Sequence, residues 1–185
     1  CFNGNEGIVK ALLEKDDIEI NKADKYGWTP FITACGKSHI DIVNELLKNN
    51  DIDVNNATDD GETALNVACR NGHESIVNEL LEKDGIEINK ADKDGVTPLL
   101  IACRNGHESI VNALLEKDSI DIDEATNNGV TPLYIACENG NKGNVNALLE
   151  KGEIEINKAD KDGITPLSAA CMEGHEGIAN ALLKK

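Results

Sequence analysis

The sequence repeats itself at a fixed interval of 34 residues. The ten residues CRNGHESIVN occur at 69–78 and again, letter for letter, at 103–112. A period of roughly 20–50 residues is typical of stacked supersecondary units, each of which buries its apolar face only against the next. The chain is therefore predicted to be a repeat array rather than a domain with one closed core. The cysteines that keep the interval are Cys1, Cys35, Cys69, Cys103, Cys137 and Cys171.

The stretch at 92–125 shows how one repeat is built. Its Asp-Gly pair at 94–95 indicates a tight turn, because glycine adopts a positive φ without steric cost. The Thr-Pro pair at 97–98 is typical of a helix N-terminus, and the Asn-Gly pair at 105–106 is typical of a left-handed helix end. A second helix follows, whose apolar residues share one face. These apolar residues are Ile110, Val111, Leu114 and Leu115.

This turn-helix-helix repeat, seen in DKDGVTPLLIACRNGHESIVNALLEKDSIDID, resembles the ankyrin repeat. The resemblance covers nearly the whole chain and implies an all-α solenoid of stacked helix-turn-helix units with β-hairpin-like finger loops. One residue more than the family usually has lies between the second helix and the next turn. We expect a single array, 1-185, that is a segment of a longer one. It has partial units at 1-23 and 160-185 and full units at 24-57, 58-91, 92-125 and 126-159.

Three further features depart from the ankyrin pattern. Asn144 stands where the pattern has an apolar helix residue, so the repeat at 126–159 is expected to pack more loosely. Terminal repeats need a polar outer face, and the last repeat is expected to leave three apolar residues unprotected: Ile178, Leu182 and Leu183. The histidine that often follows the TPL triplet is absent, which removes the hydrogen bonds that the family pattern implies. Its replacements are Ile32, Asn66, Leu100, Tyr134 and Ser168.

The charge of the chain restricts its partners. A formal net charge of −16 argues against nucleic acid, whose phosphates need a basic surface, and against an anionic membrane surface. No apolar run approaches the ~18 residues of a membrane span. A protein partner of basic or mixed charge is expected. Unpaired thiols in this number favour a reducing compartment, so a cytoplasmic location is predicted.

The six cysteines suggest disulfides or zinc, but their spacing argues against both. Equivalent residues of stacked helical units lie roughly 8–10 Å apart, whereas a disulfide needs Cα atoms within about 7 Å. No CxxC pair is present to bind zinc. The cysteines are therefore predicted to be small buried thiols, each filling an alanine-like space beside an alanine.

No motif in the sequence indicates catalysis or a cofactor. HESIV resembles the start of a zinc-protease HExxH helix, but the second histidine falls at Val77 or Val111. There is no phosphate-binding glycine loop, no EF-hand spacing and no nucleophile–base pair. A non-enzymatic chain without a cofactor is predicted. A structural role at the turn between helices is predicted for His39, His73, His107 and His175.

The segment LEKDDIEIN and its copies resemble the ankyrin segment that an asparaginyl hydroxylase modifies. The resemblance implies four candidate targets. The alternative, which we favour, is an asparagine whose side chain forms hydrogen bonds within the hairpin. The candidates are Asn21, Asn55, Asn89 and Asn157.

In ankyrin arrays, partners commonly bind the finger tips and the concave face of the first helices. The resemblance places these contacts beside each finger glycine and just after each recurring cysteine. The predicted partner-binding residues are Phe2, Lys25, Tyr26, Trp28, Lys37, Glu62, Arg70, Asn71, Val96, Arg104, Asn105, Val130, Glu138, Ile164 and Met172.

Aromatic residues are rare in the chain, yet three fall together among these positions: Phe2, Tyr26 and Trp28. Trp, Tyr and Arg are enriched in interface hot spots. The first hypothesis is a protein-interaction module centred on these aromatics, with Arg70 and Arg104 beside them. The alternative is that Phe2 and Trp28 merely cover the first helices. The second hypothesis is a structural array that assembles end to end into a fibre. A third is that the array targets a catalytic domain elsewhere in the protein.

Overall fold

The computed structural model describes residues 1–15 and 17–185, which form two compact units, Cys1–Glu87 and Ile88–Lys185. Asp16, in the first predicted copy of the hydroxylase-like segment, lies outside the described residues. Within the described ranges every secondary-structure element is a helix. The β-pairing there is one isolated antiparallel bridge, between Ala57 and Thr63. The predicted all-α fold is confirmed. The prediction of one array with the stated repeat boundaries stays a prediction.

The N-terminal unit, Cys1–Glu87, has two rows of helices. The first helices of its repeats, α2 and α4, pack on each other, and the second helices form a row in which α3 contacts both α1 and α5. Phe31, Leu65 and Ile76 are buried where the rows meet. The helices are α1 (Glu6–Leu13), α2 (Pro30–Gly36), α3 (Ile40–Leu47), α4 (Ala64–Asn71) and α5 (Glu74–Leu81).

The C-terminal unit, Ile88–Lys185, also has two rows of helices. Its helices are α6 (Pro98–Asn105), α7 (Glu108–Leu115), α8 (Pro132–Glu138), α9 (Lys142–Lys151), α10 (Pro166–Met172) and α11 (Glu176–Leu182). In one row α8 packs between α6 and α10, and in the other α9 packs between α7 and α11. All four predicted apolar residues of α7 are buried, which confirms the face assigned from helical spacing.

The first helices begin and end where the sequence predicts. Thr97 Oγ1 accepts a hydrogen bond from the Leu100 N–H at 3.2 Å, and the same capping bond occurs at every recurring threonine that starts a first helix. Gly106 ends α6 in the left-handed conformation. In α4, where histidine is replaced by Asn66, the Asn66 side chain accepts the Thr63 N–H at 3.0 Å and completes a capping box. At this position Asn66 therefore stabilises the start of its own helix.

The expectation of looser packing at Asn144 is wrong. The side chain is only 1% exposed, and its Nδ2 donates to the Cys103 carbonyl oxygen at 3.2 Å. The last carbonyls of a helix have no partner within the helix, so a buried amide opposite the end of α6 has acceptors to bind. Asn141 Nδ2 donates to the same oxygen at 2.8 Å. The polar residue is therefore satisfied and well packed.

The expectation for the last repeat is corrected in part. Ile178 and Leu182 are 2% and 5% exposed, because α11 packs them against α9 and α10. Leu183, which follows α11, is 70% exposed as predicted. The sequence shows that these residues are apolar, but it does not show which neighbouring helix covers each one.

The recurring asparagines join successive loops. Asn55 Nδ2 donates to the Gly85 carbonyl oxygen at 2.8 Å, and its Oδ1 accepts the Glu87 N–H at 3.0 Å. Asn21 and Asn89 form the corresponding pairs of bonds. The favoured structural role is confirmed for these three asparagines. Asn157 is exposed and has no side-chain hydrogen bond to another described residue, and hydroxylation stays a prediction.

Asp123 occupies the asparagine position in its repeat, and we expect Asp123→Asn to stabilise the C-terminal unit by about 1 kcal/mol. The carboxylate accepts the Glu155 N–H at 3.0 Å but has no amide to donate. Burial raises the pKa of the Asp123 carboxyl, so its ionised form is disfavoured in the folded state. Urea unfolding at neutral pH measures the gain, which should shrink as the pH falls and Asp123 regains a proton to donate.

The reciprocal variant Asn89→Asp is the matched control. Asn89 donates to the Ser119 carbonyl oxygen at 2.7 Å and accepts the Asp121 N–H at 3.0 Å. The Asn89→Asp substitution removes the donated bond and should lower the free energy of unfolding by a similar amount. If both substitutions changed stability in the same direction, the donor would not be the cause.

Candidate interaction grooves

The finger turns hold the predicted contact residues at a constant place in each repeat. In the turn at 92–96, the Asp92 N–H donates to the Val96 carbonyl oxygen at 3.1 Å, and the Gly95 N–H donates to the Asp92 carbonyl oxygen at 3.0 Å. The same two bonds close the turns at 24–28, 58–62, 126–130 and 160–164. In the N-terminal unit, the Asp59 N–H also donates to the Tyr26 carbonyl oxygen at 3.0 Å. Neighbouring fingers there are joined through their backbones.

The N-terminal unit contains a groove of about 510 Å³ between its fingers and first helices. It brings together Phe2, Tyr26 and Trp28, as the first hypothesis expects. Phe2 and Tyr26 are 66% and 58% exposed, and Trp28 is half-buried at the groove wall. The groove, called the aromatic groove below, is lined by Phe2, Asp24, Tyr26, Trp28, Thr33, Gly36, Lys37, Val67 and Asn71.

Two lysines add positive charge to the aromatic groove. Lys37 Nζ lies 4.7 Å from the centroid of the Phe2 ring, and Lys25 Nζ lies 4.6 Å from the centroid of the Tyr26 ring. Both distances are within the range of a cation–π interaction. Both lysines are exposed. Two cations therefore lie at this groove beside the carboxylate of Asp24, although the chain as a whole is strongly acidic.

Arg70 and Glu62, two of the predicted contacts, form an ion pair with each other. Glu62 is 8% exposed, so its carboxylate is largely enclosed. Asn71 lies nearby at the end of α4, where its Nδ2 donates to the Gly36 carbonyl oxygen at 3.3 Å. The pairing leaves Arg70 less available to a partner than its position in the sequence indicates.

The C-terminal unit has a groove of its own, of about 430 Å³. It brings together Val96, Arg104 and Val130 from the predicted set. The remaining predicted contacts of this unit lie outside the groove: Asn105, Glu138, Ile164 and Met172. Their role as contacts stays a prediction. The groove, called the Arg104 groove below, is lined by Asp94, Val96, Arg104, Thr126, Asn127, Asn128, Val130 and Ile135.

Groove residues from the middle of the first helices were not predicted. Thr33 and Val67 line the aromatic groove, and Ile135 lines the Arg104 groove. Thr33 and Val67 each come four positions before a predicted contact, Lys37 and Asn71. Residues four apart lie on the same helix face, so helical spacing could have found them.

The predicted buried thiols are found at four of the six cysteines. The side chains of Cys35, Cys69, Cys103 and Cys137 are fully enclosed, and none of the six cysteines, all of which the structure describes, forms a disulfide. The prediction is wrong for Cys171, which is exposed, and for Cys1, which is half-exposed. Cys137 is covered because α10 packs on α8, whereas no described helix follows α10 in that row.

The histidines have the predicted structural role where their bonds are defined. His73 Nε2 lies 3.3 Å from the Gly36 carbonyl oxygen, and His39 and His175 make the corresponding contacts with Phe2 and Glu138. Among residues 1–15 and 17–185, no three His, Cys, Asp or Glu side chains are grouped to hold a metal ion. None of the helices in these same ranges has the length and apolar character needed to cross a membrane.

Comparison with known proteins identifies the family. A family model for ankyrin repeats in three copies matches residues 1–92, 49–126, 85–160 and 119–185. These overlapping segments cover the chain from end to end. A search of curated proteins found no match. With its capped first helices, finger turns and 34-residue period, the chain belongs to the ankyrin repeat family.

Proposed function

We propose that this chain is a non-catalytic protein-interaction module and that the aromatic groove is the centre of its contact surface. Ankyrin repeats are generally protein–protein interaction modules and typically non-catalytic. One observation carries the proposal for this groove. The only Trp of the chain, one of its two Tyr and one of its two Phe line the same groove. Large aromatic side chains contribute a disproportionate share of binding energy at interfaces.

The groove is preorganised by its backbone. Asp24 Oδ1 accepts the N–H groups of Tyr26 and Trp28 at 2.9 and 3.0 Å, which fixes the two aromatic residues on the turn. Gly36 keeps the space open: a Cβ atom there would lie 2.9 Å from Val67 Cγ1 and 3.6 Å from Trp28 Cζ3. A site that is already formed loses less conformational entropy on binding.

The charges favour a partner of mixed charge. Lys25 and Lys37 at the aromatic groove attract acidic side chains close to an apolar anchor. The net charge of −16 attracts basic regions of the partner at longer range. The apolar anchor enters the groove, and the charged residues around it set the orientation.

Trp28→Ala is expected to weaken partner binding about 30-fold or more, which corresponds to the loss of one interface hot spot. Peptides selected on the intact chain from a random displayed library supply the ligand, and fluorescence anisotropy measures their affinity. Because the chain has one Trp, quenching of its fluorescence reports binding in the groove directly. Gly36→Ala, which fills the groove and keeps Trp28, should weaken the same peptides.

Leu183→Ala is the control for this experiment. Leu183 is 70% exposed and lies in the C-terminal unit, outside both grooves. The selected peptides should bind this variant and the unchanged chain equally well. Equal affinity for the Trp28→Ala variant, with its thermal midpoint unchanged, would show that the groove is not the binding centre.

End-to-end assembly is a second candidate, favoured by one apolar surface of the N-terminal unit. Ile8 and Leu12 of α1 are 59% and 47% exposed and line an open groove of about 310 Å³. In the last repeat Leu183 is exposed, whereas Ile178 and Leu182 are buried and cannot contribute to a contact. Sedimentation velocity at several concentrations separates the two candidates, since assembly raises the mass with concentration and a fixed monomer mass excludes it.

A further inference from the structure

The only two arginines of the chain, Arg70 and Arg104, stand at the same place in the two copies of CRNGHESIVN. Each lies near the end of a first helix, α4 or α6, which a left-handed glycine then terminates. Because the flanking residues are identical, a difference between the two side chains has to come from the residues that face them.

The facing residue differs at one finger position. In the N-terminal unit this position is Glu62, whose enclosed carboxylate forms an ion pair with Arg70. In the C-terminal unit the equivalent position, 34 residues later, is Val96. Valine carries no charge, so Val96 cannot form with Arg104 the ion pair that Glu62 forms with Arg70.

Arg104 is exposed, and its guanidinium has neither an ion pair nor a hydrogen bond to any residue of the described part of the chain. Its backbone, by contrast, is fixed: the Arg104 carbonyl oxygen accepts Asn139 Nδ2 at 3.0 Å and Asn141 Nδ2 at 3.3 Å. An unpaired guanidinium thus extends from an anchored helix end at the Arg104 groove.

The surroundings of Arg104 limit the ligand. Val96, Val130 and Ile135 are the aliphatic residues among those that line the groove, and they suit aliphatic side chains of a ligand. Asp94 lines the same groove, and its negative charge disfavours a multiply charged anion such as a phosphate group. A guanidinium binds a carboxylate through two parallel N–H···O bonds. The groove therefore fits a single carboxylate next to aliphatic groups.

We propose that Arg104 binds the carboxylate of a glutamate or aspartate side chain in a protein partner, with the apolar neighbours of that residue in the Arg104 groove. This inference rests on the proposed function in one respect, that the partner is a protein. The identical Arg70 does not take part, because Glu62 already neutralises it. The duplicated sequence thus provides one carboxylate site and one internal ion pair.

Side-chain Nε–Hε signals in proton–nitrogen correlation spectra test the proposal on the full chain. Two arginines give two signals, which Arg104→Lys assigns by removing one. The probe is the peptide acetyl-Leu-Glu-Leu-amide, and its Gln analogue is the matched control. We expect the Glu peptide to shift the Arg104 signal in a saturable way, while the Arg70 signal stays in place and the Gln peptide has no effect.

Reciprocal finger variants sharpen the test. Val96→Glu copies the Glu62 arrangement and should lower the affinity of the Glu peptide about tenfold, because the internal carboxylate competes for Arg104. Glu62→Val removes the ion pair that Glu62 forms with Arg70, and it should make the Arg70 signal respond to the Glu peptide. If Val96→Glu fails to fold, Arg104→Gln replaces it. The affinity of the Glu peptide, measured from the shift of the Val130 amide signal, should then fall by a similar factor.

Three results would overturn the assignment: equal shifts of both arginine signals in the unchanged chain, the same response to the Glu and Gln peptides, or no response to either. Trp28→Ala should leave the Arg104 response unchanged, because Trp28 does not line the Arg104 groove. Failure at Arg104 is thereby distinguishable from failure at the aromatic groove.

Discussion

Replacing Gly27 with alanine is expected to destabilise the N-terminal unit by about 3 kcal/mol or more. Gly27 has a φ of +82°, and a Cβ atom there would lie 2.5 Å from the Asp59 nitrogen and 2.7 Å from Thr58 Cα. Both atoms belong to the backbone of the next finger, so neither can move aside like a flexible side chain. The added methyl group would have to separate the two fingers and break the bond from the Asp59 N–H to the Tyr26 carbonyl oxygen.

Gly163→Ala is the matched control for Gly27→Ala. Gly163 occupies the same position of its finger turn with a φ of +79°, but a Cβ atom there would have no neighbour within 4 Å. Only the backbone strain of alanine in the left-handed region remains, which costs about 1 kcal/mol. Urea unfolding followed by circular dichroism measures the loss of stability in both variants. Faster hydrogen exchange at the Asp59 amide in Gly27→Ala would show that its loss arises between the two fingers. Losses of equal size would mean that the close approach between fingers contributes nothing.

Much of the fold could be predicted because it follows from local rules repeated at a fixed interval. Thr97 caps α6 and Gly106 ends it, as the Thr-Pro and Asn-Gly pairs indicate, and both features depend only on adjacent residues. The buried face of α7 follows from helical spacing alone. The period then extends each result along the chain, because equivalent residues have equivalent surroundings.

Where the predictions fail, the cause lies in contacts between repeats. Asn144 breaks the apolar pattern of α9, yet the carbonyl oxygens that accept its amide belong to α6, some forty positions earlier. Cys171 follows the same pattern as Cys137, but only Cys137 has a further first helix packed over it. A repeat read by itself does not contain its neighbour, so such differences are invisible to pattern analysis.

The candidate sites show the same division. The positions of Phe2, Tyr26 and Trp28 within the repeat predicted that they would share a surface, and they line one groove. The contrast between Arg70 and Arg104 was not predicted, since both were expected to be contacts. It depends on whether the preceding finger supplies a carboxylate, as Glu62 does. Equivalent positions give the location of a side chain, whereas its availability depends on its partner.

The buried thiols predict a steep loss of stability at alkaline pH, which is the second large effect expected. Burial raises the pKa of Cys35 and Cys69 in the N-terminal unit, and it raises the pKa of Cys137 in the C-terminal unit to about 12, all from an ordinary value of 9.0. Above pH 9.0 these thiols lose their protons in the unfolded chain but keep them in the folded chain. The folded state then binds more protons, so the free energy of unfolding falls as the pH rises.

Each such thiol costs about 1.4 kcal/mol per pH unit once the pH is well above its unfolded pKa, and about 1 kcal/mol over the first unit above it. The N-terminal unit, with two of them, should therefore lose about 2 kcal/mol over the first pH unit above 9.0. Urea midpoints measured with a reductant across this range test the slope, and the double variant Cys35→Ala/Cys69→Ala is the control. Alanine cannot ionise, so the slope should flatten even though the smaller side chain lowers stability at neutral pH. Parallel slopes for the two proteins would mean that these thiols ionise as readily in the folded chain as in the unfolded one, which their complete enclosure in α2 and α4 argues against.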